Sequence, residues 1–179
     1  MKVLKIGLFG VIAIIFSSCN RSEVKKTERD FEVNVNLEND FINIENTKKQ
    51  YNAHTGDYYS GIDTTVKYGA GYIKKIDDTL KGYNLDLIVS AWIREMVSPC
   101  EGAIAVSLEG IDGSNKNWTG LKVKAGNFKV KEWNYVVDTF RYKEQFMNDV
   151  SQIKIFGMKN EGGDMFDVDD LRIKYIFYK

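Results

Sequence analysis

Apolar residues along this chain fall first into one block and then into short runs that alternate with polar ones. The block is residues 6–16, 11 residues without a charge, shorter than the roughly 20 that cross a bilayer as a helix. From Phe31 onward the period is two: Phe31, Val33, Val35 and Leu37 alternate with Glu32, Asn34, Asn36 and Glu38. Successive side chains of a strand point to opposite faces, so such a run predicts a strand buried on one side. The same reasoning predicts strands at 66–72, 85–93, 104–108, 121–125 and 153–155. In the run at 85–93, Leu85, Leu87, Val89, Ala91 and Ile93 share the dry face, which leaves Asp86, Ile88, Ser90, Trp92 and Arg94 on the other.

The stretch 164–178 is the most informative strand. Its apolar parity changes midway, from Phe166 and Val168 to Leu171, Ile173, Tyr175 and Phe177. A change of parity within one strand requires an extra residue, so a bulge is predicted at Asp169 or Asp170. Between the strands, 52–61 is rich in turn residues and 112–117 reads as a loop ending at Trp118. Residues 144–150 allow a single helical turn, and 160–164 reads as a hairpin turn. The run 133–142 has apolar residues on both parities, so its facing stays open, while Trp133 itself is assigned to the core. Short strands, glycine-marked turns and no long 3.6-residue period predict an all-β, antiparallel β-sandwich.

Composition adds a compartment. Lys2 and Lys5 precede the apolar block, and small Ser17 and Ser18 lead into Cys19, the layout of an export leader. This order resembles the bacterial lipoprotein signal, with Phe16 and Ser18 where that pattern usually has leucine and glycine or alanine. The resemblance implies a signal helix in residues 1–18, lipidation of Cys19, and acyl chains including palmitate as the membrane anchor. Residues 19–30 are charged and polar without an apolar period, which reads as the lipidated N-terminus and a flexible tether, leaving 31–179 as one domain. The expected location is the bacterial cell envelope, at the outer membrane in preference to the inner. Cys100 is then the one cysteine of the domain, so no intramolecular disulfide is expected, and it reads as a small core or loop residue. The chain has 25 basic and 25 acidic residues, and loss of residues 1–18 removes two lysines, leaving 23 against 25. That balance gives no support to a nucleic-acid partner.

Three segments together resemble the galactose-binding-like jelly roll, in particular the carbohydrate-binding modules attached to bacterial xylanases and glucanases. They are the strand at 83–94 with Trp92 after small residues, the strand at 132–140 opened by Trp133, and the closing aspartate strand at 166–173, in the same order along the chain. The resemblance implies one structural calcium ion with Asp169 as a ligand and Asp170 beside it. A carboxylate entering a core is costly unless a cation or several N–H donors meet it, and calcium takes six to eight oxygens. Residues 54–56 and 40–45 are the expected source of the others. The alternative is that Asp164, Asp167, Asp169 and Asp170 decorate a solvated hairpin.

Sugars stack on flat aromatic faces while nearby polar groups meet their hydroxyls. Trp92, Asp86, Arg94 and Glu109 provide that mixture, with Trp118 as a further platform. Trp92 is either such a platform on an open sheet or is covered by a neighbouring loop. His54 is the single histidine, which excludes histidine-rich metal sites and leaves it to turn packing. Glu95, Glu101 and Glu109 invite a glycosidase reading, but no paired-carboxylate geometry follows from their spacing. No phosphate loop, nucleophile elbow or zinc spacing is present. The expected function is therefore a membrane-anchored, non-catalytic binding module for carbohydrate or another envelope component. The alternative is a structural or assembly lipoprotein that contacts a protein partner through a sheet face.

Overall fold

The computed structural model describes residues 29–35, 48–96, 100–123, 129–159 and 165–179. The expected leader, Cys19, all but the end of the tether, the 40–45 segment and the 160–164 turn lie outside them.

Strand-forming patterns give β1 (Arg29–Val35), β2 (Lys48–Gln50), β3 (Tyr58–Ile62), β4 (Tyr68–Lys75), β5 (Asn84–Glu95), β6 (Gly102–Glu109) and β7 (Asn115–Lys122). They continue through β8 (Asn134–Tyr142), β9 (Gln152–Lys159) and β10 (Phe166–Tyr178), with a helical turn α1 (Glu144–Met147) where the sequence allows one. One sheet runs β2-β3-β10-β5-β8 with β1 also on β10; the other runs β4-β9-β6-β7. Every described pairing is antiparallel. From β3 onward the chain changes sheet at each connection except the β6–β7 hairpin. This is the antiparallel β-sandwich expected, wound as a jelly roll.

The core lies where the two dry faces meet. Leu85, Leu87, Val89, Ala91 and Ile93 of β5 and Ile173, Tyr175 and Phe177 of β10 are sealed against Ile104, Val106 and Leu108 of β6 and Ile153 and Ile155 of β9. Burial of each large side chain contributes about 1.5–3 kcal/mol, which is why the period-two pattern decides the facing. Cys100 joins this core as a buried thiol.

The bulge is where the parity change placed it. The β10–β5 register shifts between Asp169 and Arg172, and Asp170 takes a left-handed φ of 47°, a conformation that aspartate tolerates better than most residues. The bulge also divides β10 between neighbours: Phe166–Val168 pairs with β3, and Leu171–Phe177 pairs with β1.

Three expectations change. The stretch read as turn, 52–61, ends in strand β3, where Ser60 and Gly61 are buried without being large and apolar, so little apolar alternation shows. The loop expected at 112–117 is shorter, because β7 already begins at Asn115 as an exposed, polar edge strand. Trp133 is outside the core cluster; it precedes β8 and is half-buried beneath the 51–57 loop. The open facing of β8 resolves with Val136 and Tyr142 buried and Tyr135 and Val137 exposed.

Candidate functional site

The outer face of the four-stranded sheet is built by the residues that alternate with the core. On β6 these are Ala103, Ala105, Ser107 and Glu109; on β9, Gln152, Lys154, Phe156 and Met158. Cross-strand register sets them in rows: Trp118–Ser107–Lys154–Ile73 lies beside Gly120–Ala105–Phe156–Gly71. The small residues of the second row keep the floor low. A Cβ at Gly71 would meet the Phe156 Cβ at 2.7 Å, and one at Gly120 would meet the Ile104 carbonyl oxygen at 2.8 Å. Large residues rise on both sides, with Trp118 and Tyr68 each about half exposed, and Tyr68 is edge-on to Phe156 at 5.9 Å. The result is an open cleft of about 410 Å³, within the range of small-ligand sites.

Polar groups enter this cleft in a fixed arrangement. Lys154 Nζ lies 2.8 Å from Glu109 Oε2, and Gln152 Nε2 donates to the same oxygen at 2.6 Å. Ser107 and Asn115 add a hydroxyl and an amide. The cleft thus offers flat aromatic walls, a paired donor and acceptor, and neutral hydrogen-bonding groups.

A second cluster occupies the outer face of the other sheet, where the 51–57 loop crosses β5 and β10. Trp92 faces outward, as parity requires, but the His54 ring stacks on it at 3.9 Å and 16°, so it is covered by the loop rather than open. Arg94 Nη2 and Nε lie 2.8 and 3.0 Å from Asp167 Oδ2, and Arg94 Nη1 donates to the Asn52 carbonyl at 2.9 Å. The guanidinium also lies over the Trp133 and Tyr59 rings, at 4.5 and 4.9 Å. Asp86, six residues from Trp92 and therefore about 20 Å along the strand, instead accepts from the Tyr178 hydroxyl at 3.0 Å. The five expected ligand-binding residues accordingly do not form one site. Glu109 and Trp118 share the cleft, Trp92 and Arg94 are committed to the loop cluster, and Asp86 stands apart.

The bulge aspartates meet N–H donors. Asp169, 4% exposed, accepts from the backbone amides of His54 at 2.7 Å, Thr55 at 3.2 Å and Asp170 at 2.8 Å. Burial pushes its carboxyl above the usual range, against the opposing pull of those amides. Asp170 accepts from the Thr55 hydroxyl at 2.6 Å, and its other oxygen lies 2.7 Å from His54 Nδ1, which donates when it carries the proton. Among the described residues no three histidine, cysteine or carboxylate groups gather as a metal site. The amides meet the Asp169 carboxylate in the way that a buried carboxylate requires, and the 40–45 segment expected to complete a calcium site lies outside the described residues. The positive φ values of Tyr51 (71°) and Asn52 (61°) lie in the same loop as His54, so local backbone strain is concentrated at this clasp.

Glu95 and Glu109 do not oppose each other across a cleft: Glu95 is buried on the core side of β5, and Glu109 faces outward on the other sheet. Sequence reasoning missed Tyr68, Lys154 and Phe156. The signal was present in β9, where Phe156 and Met158 stand on the face opposite Ile153 and Ile155, an apolar pair on a side that should be wet.

No protein-family model matches the chain, and no curated protein does. Among solved structures, the chain is similar to the VP2 subviral particle of infectious bursal disease virus at 13% identity and TM-score 0.49, with 96% of this chain and 37% of that chain covered. It thus spans little more than a third of that chain's length. It is also similar to the C-terminal family 22 carbohydrate binding module of Clostridium thermocellum Xyn10B, at 12% identity and TM-score 0.49, with 86% of each chain covered. A third likeness is the xylan-binding domain of Paenibacillus barcinonensis Xyn10C, at 10% identity and TM-score 0.46, covering 82% of this chain and 92% of that one. The sandwich assignment rests on the strand pairing of the chain itself.

Proposed function

We propose that this chain is a lipid-anchored, non-catalytic glycan-binding module of a bacterial envelope, with the cleft on the four-stranded sheet as its binding face. The observation that carries the reading is the union of Trp118, Tyr68 and Phe156 with the small residues Gly71 and Ser107 in one cleft. A sugar ring presents C–H groups on its faces and hydroxyls at its rim. Aromatic walls accept the first, and Ser107, Asn115, Glu109 and Lys154 are placed for the second. Trp92 has no such role, because its ring is already covered by His54.

Affinity electrophoresis against a panel of soluble polysaccharides tests the site. Trp118→Ala should weaken retardation by the bound glycan at least about tenfold, the scale of one lost well-packed contact. Saturable binding that survives both Trp118→Ala and Phe156→Ala would move the site elsewhere. The anchor is tested separately: labelled palmitate should enter the wild type and not Cys19→Ala, and two or more acyl chains would hold the module stably.

A further inference from the structure

We infer that the glycan taken by this cleft is acidic, with uronic-acid carboxylates as its anions. The inference rests on the glycan reading of the same cleft and adds the ligand's charge. On the outer face of the four-stranded sheet, register places Lys122 beside Ala103 at one end and Lys75 beside Gln152 at the other, with Lys154 between them. Among the described residues of β4, β6, β7 and β9, the acid that faces these lysines is Glu109. Asp112, in the nearby hairpin, is turned to its own loop, accepting from the Ser114 amide at 3.0 Å and hydroxyl at 2.6 Å.

A chain with equal formal numbers of basic and acidic residues therefore gathers a local cationic surplus around its aromatic cleft. A neutral polysaccharide gains nothing from that surplus, whereas an acidic one is steered and held by it. The spacing narrows the class further. Strand and residue repeats make this face about 14 by 20 Å, so the lysines are spread along the path of a polymer rather than gathered in one pocket. One carboxylate per sugar ring suits that spread better than a densely charged group. Lys154 has two N–H donors left after its contact with Glu109, and it adjoins Trp118 and Ser107 in the same row. A ring stacked on Trp118 can thus direct its carboxylate to that ammonium. Lysines on the edge strands β4 and β7 also discourage pairing with other chains, a role that predicts aggregation on their removal but no change in ligand choice.

The test is titration of the full chain with uronate-bearing oligosaccharides (polygalacturonate, alginate and glucuronoxylan fragments), their carboxyl-reduced counterparts, and sulfated glycans. Uronate-bearing members should bind, and carboxyl reduction should weaken them about tenfold or more, the scale of a charge-assisted hydrogen bond. Lys122→Gln and Lys75→Gln, both at exposed positions, should lower affinity for the acidic form and leave the reduced form unchanged. Added salt should act in the same direction. Equal binding of acidic and reduced forms would overturn the acidic inference while leaving the glycan reading in place. Binding of sulfated members alone would overturn the choice of carboxylate. Failure of every glycan to bind would remove both readings.

Discussion

Replacing Glu95 by methionine should stabilise the domain at pH 8 and change it much less at pH 4. The side chain lies on the core face of β5 with 1% of its surface exposed, across the ladder from Phe166, and among the described residues neither carboxylate oxygen has a hydrogen-bond partner. Its carbonyl, by contrast, accepts from the Lys131 amide at 2.8 Å, so the strain is confined to the side chain. Burial pushes the Glu95 carboxyl above the ordinary glutamate range. The folded state then holds this proton to higher pH than the unfolded chain does. Below the unfolded value both states are protonated and ionisation costs nothing. As pH rises from there through the folded value, the unfolded chain gains by ionising and stability falls, by about 1.36 kcal/mol for each unit of elevation. An unpartnered buried polar group costs about 1–3 kcal/mol, and methionine fills similar space without one. Urea unfolding at pH 4, 6 and 8 should therefore show Glu95→Met gaining about 1–3 kcal/mol at pH 8, with a smaller gain at pH 4. Glu95→Gln should flatten the pH dependence in the same window. A difference from wild type that is constant with pH, or a loss of stability in Glu95→Met at pH 8, would mean that the carboxylate has a partner and the reasoning fails.

Other outcomes follow from the loop and the core. His54→Ala removes the stack on Trp92 and the 2.7 Å contact with Asp170, so thermal melting should report a loss of about 1–3 kcal/mol; an unchanged midpoint would deny the clasp any structural role. Chelation of divalent cations tests the expected calcium ion: bound only to the folded state, it should make the melting temperature fall by several degrees on its removal, and an unchanged midpoint would leave Asp169 to its amide donors alone. In an alkaline absorbance titration Tyr142, whose hydroxyl burial pushes up to about 12, and Tyr175, pushed higher still, should ionise after the exposed tyrosines. Folded-state stability should fall as pH rises above the ordinary tyrosine value of about 10. Simultaneous ionisation of all tyrosines in the folded protein would contradict their burial.

What could be read from the sequence was whatever a strand's period displays. The dry face of β5 and the β10 bulge were legible because most inward positions carry a large apolar side chain, so a slip of one residue shows as a parity change. Strand β3 was not, since Ser60 and Gly61 are buried without being apolar. Asn115 to Asn117 hid the start of β7 because an edge strand can be polar along much of its length. Glu109 and Trp118 could be singled out one by one, but their meeting with Lys154, Phe156 and Tyr68 depends on the order β4-β9-β6-β7, which no local pattern encodes. Trp92 shows the converse: its outward direction was legible, but its cover comes from His54, distant in sequence and close only once the 51–57 loop is laid down.

The divided pairing of β10 has a bearing on when this domain can close. Residues 166–178 are synthesised after every strand they join, yet β1, β3 and β5 all depend on them for a neighbour in the larger sheet. Until they arrive the larger sheet has a gap through its middle, and such non-local closure is slow. A nascent chain carrying this architecture cannot complete its larger sheet before residue 178 has been made, so the domain closes late by construction.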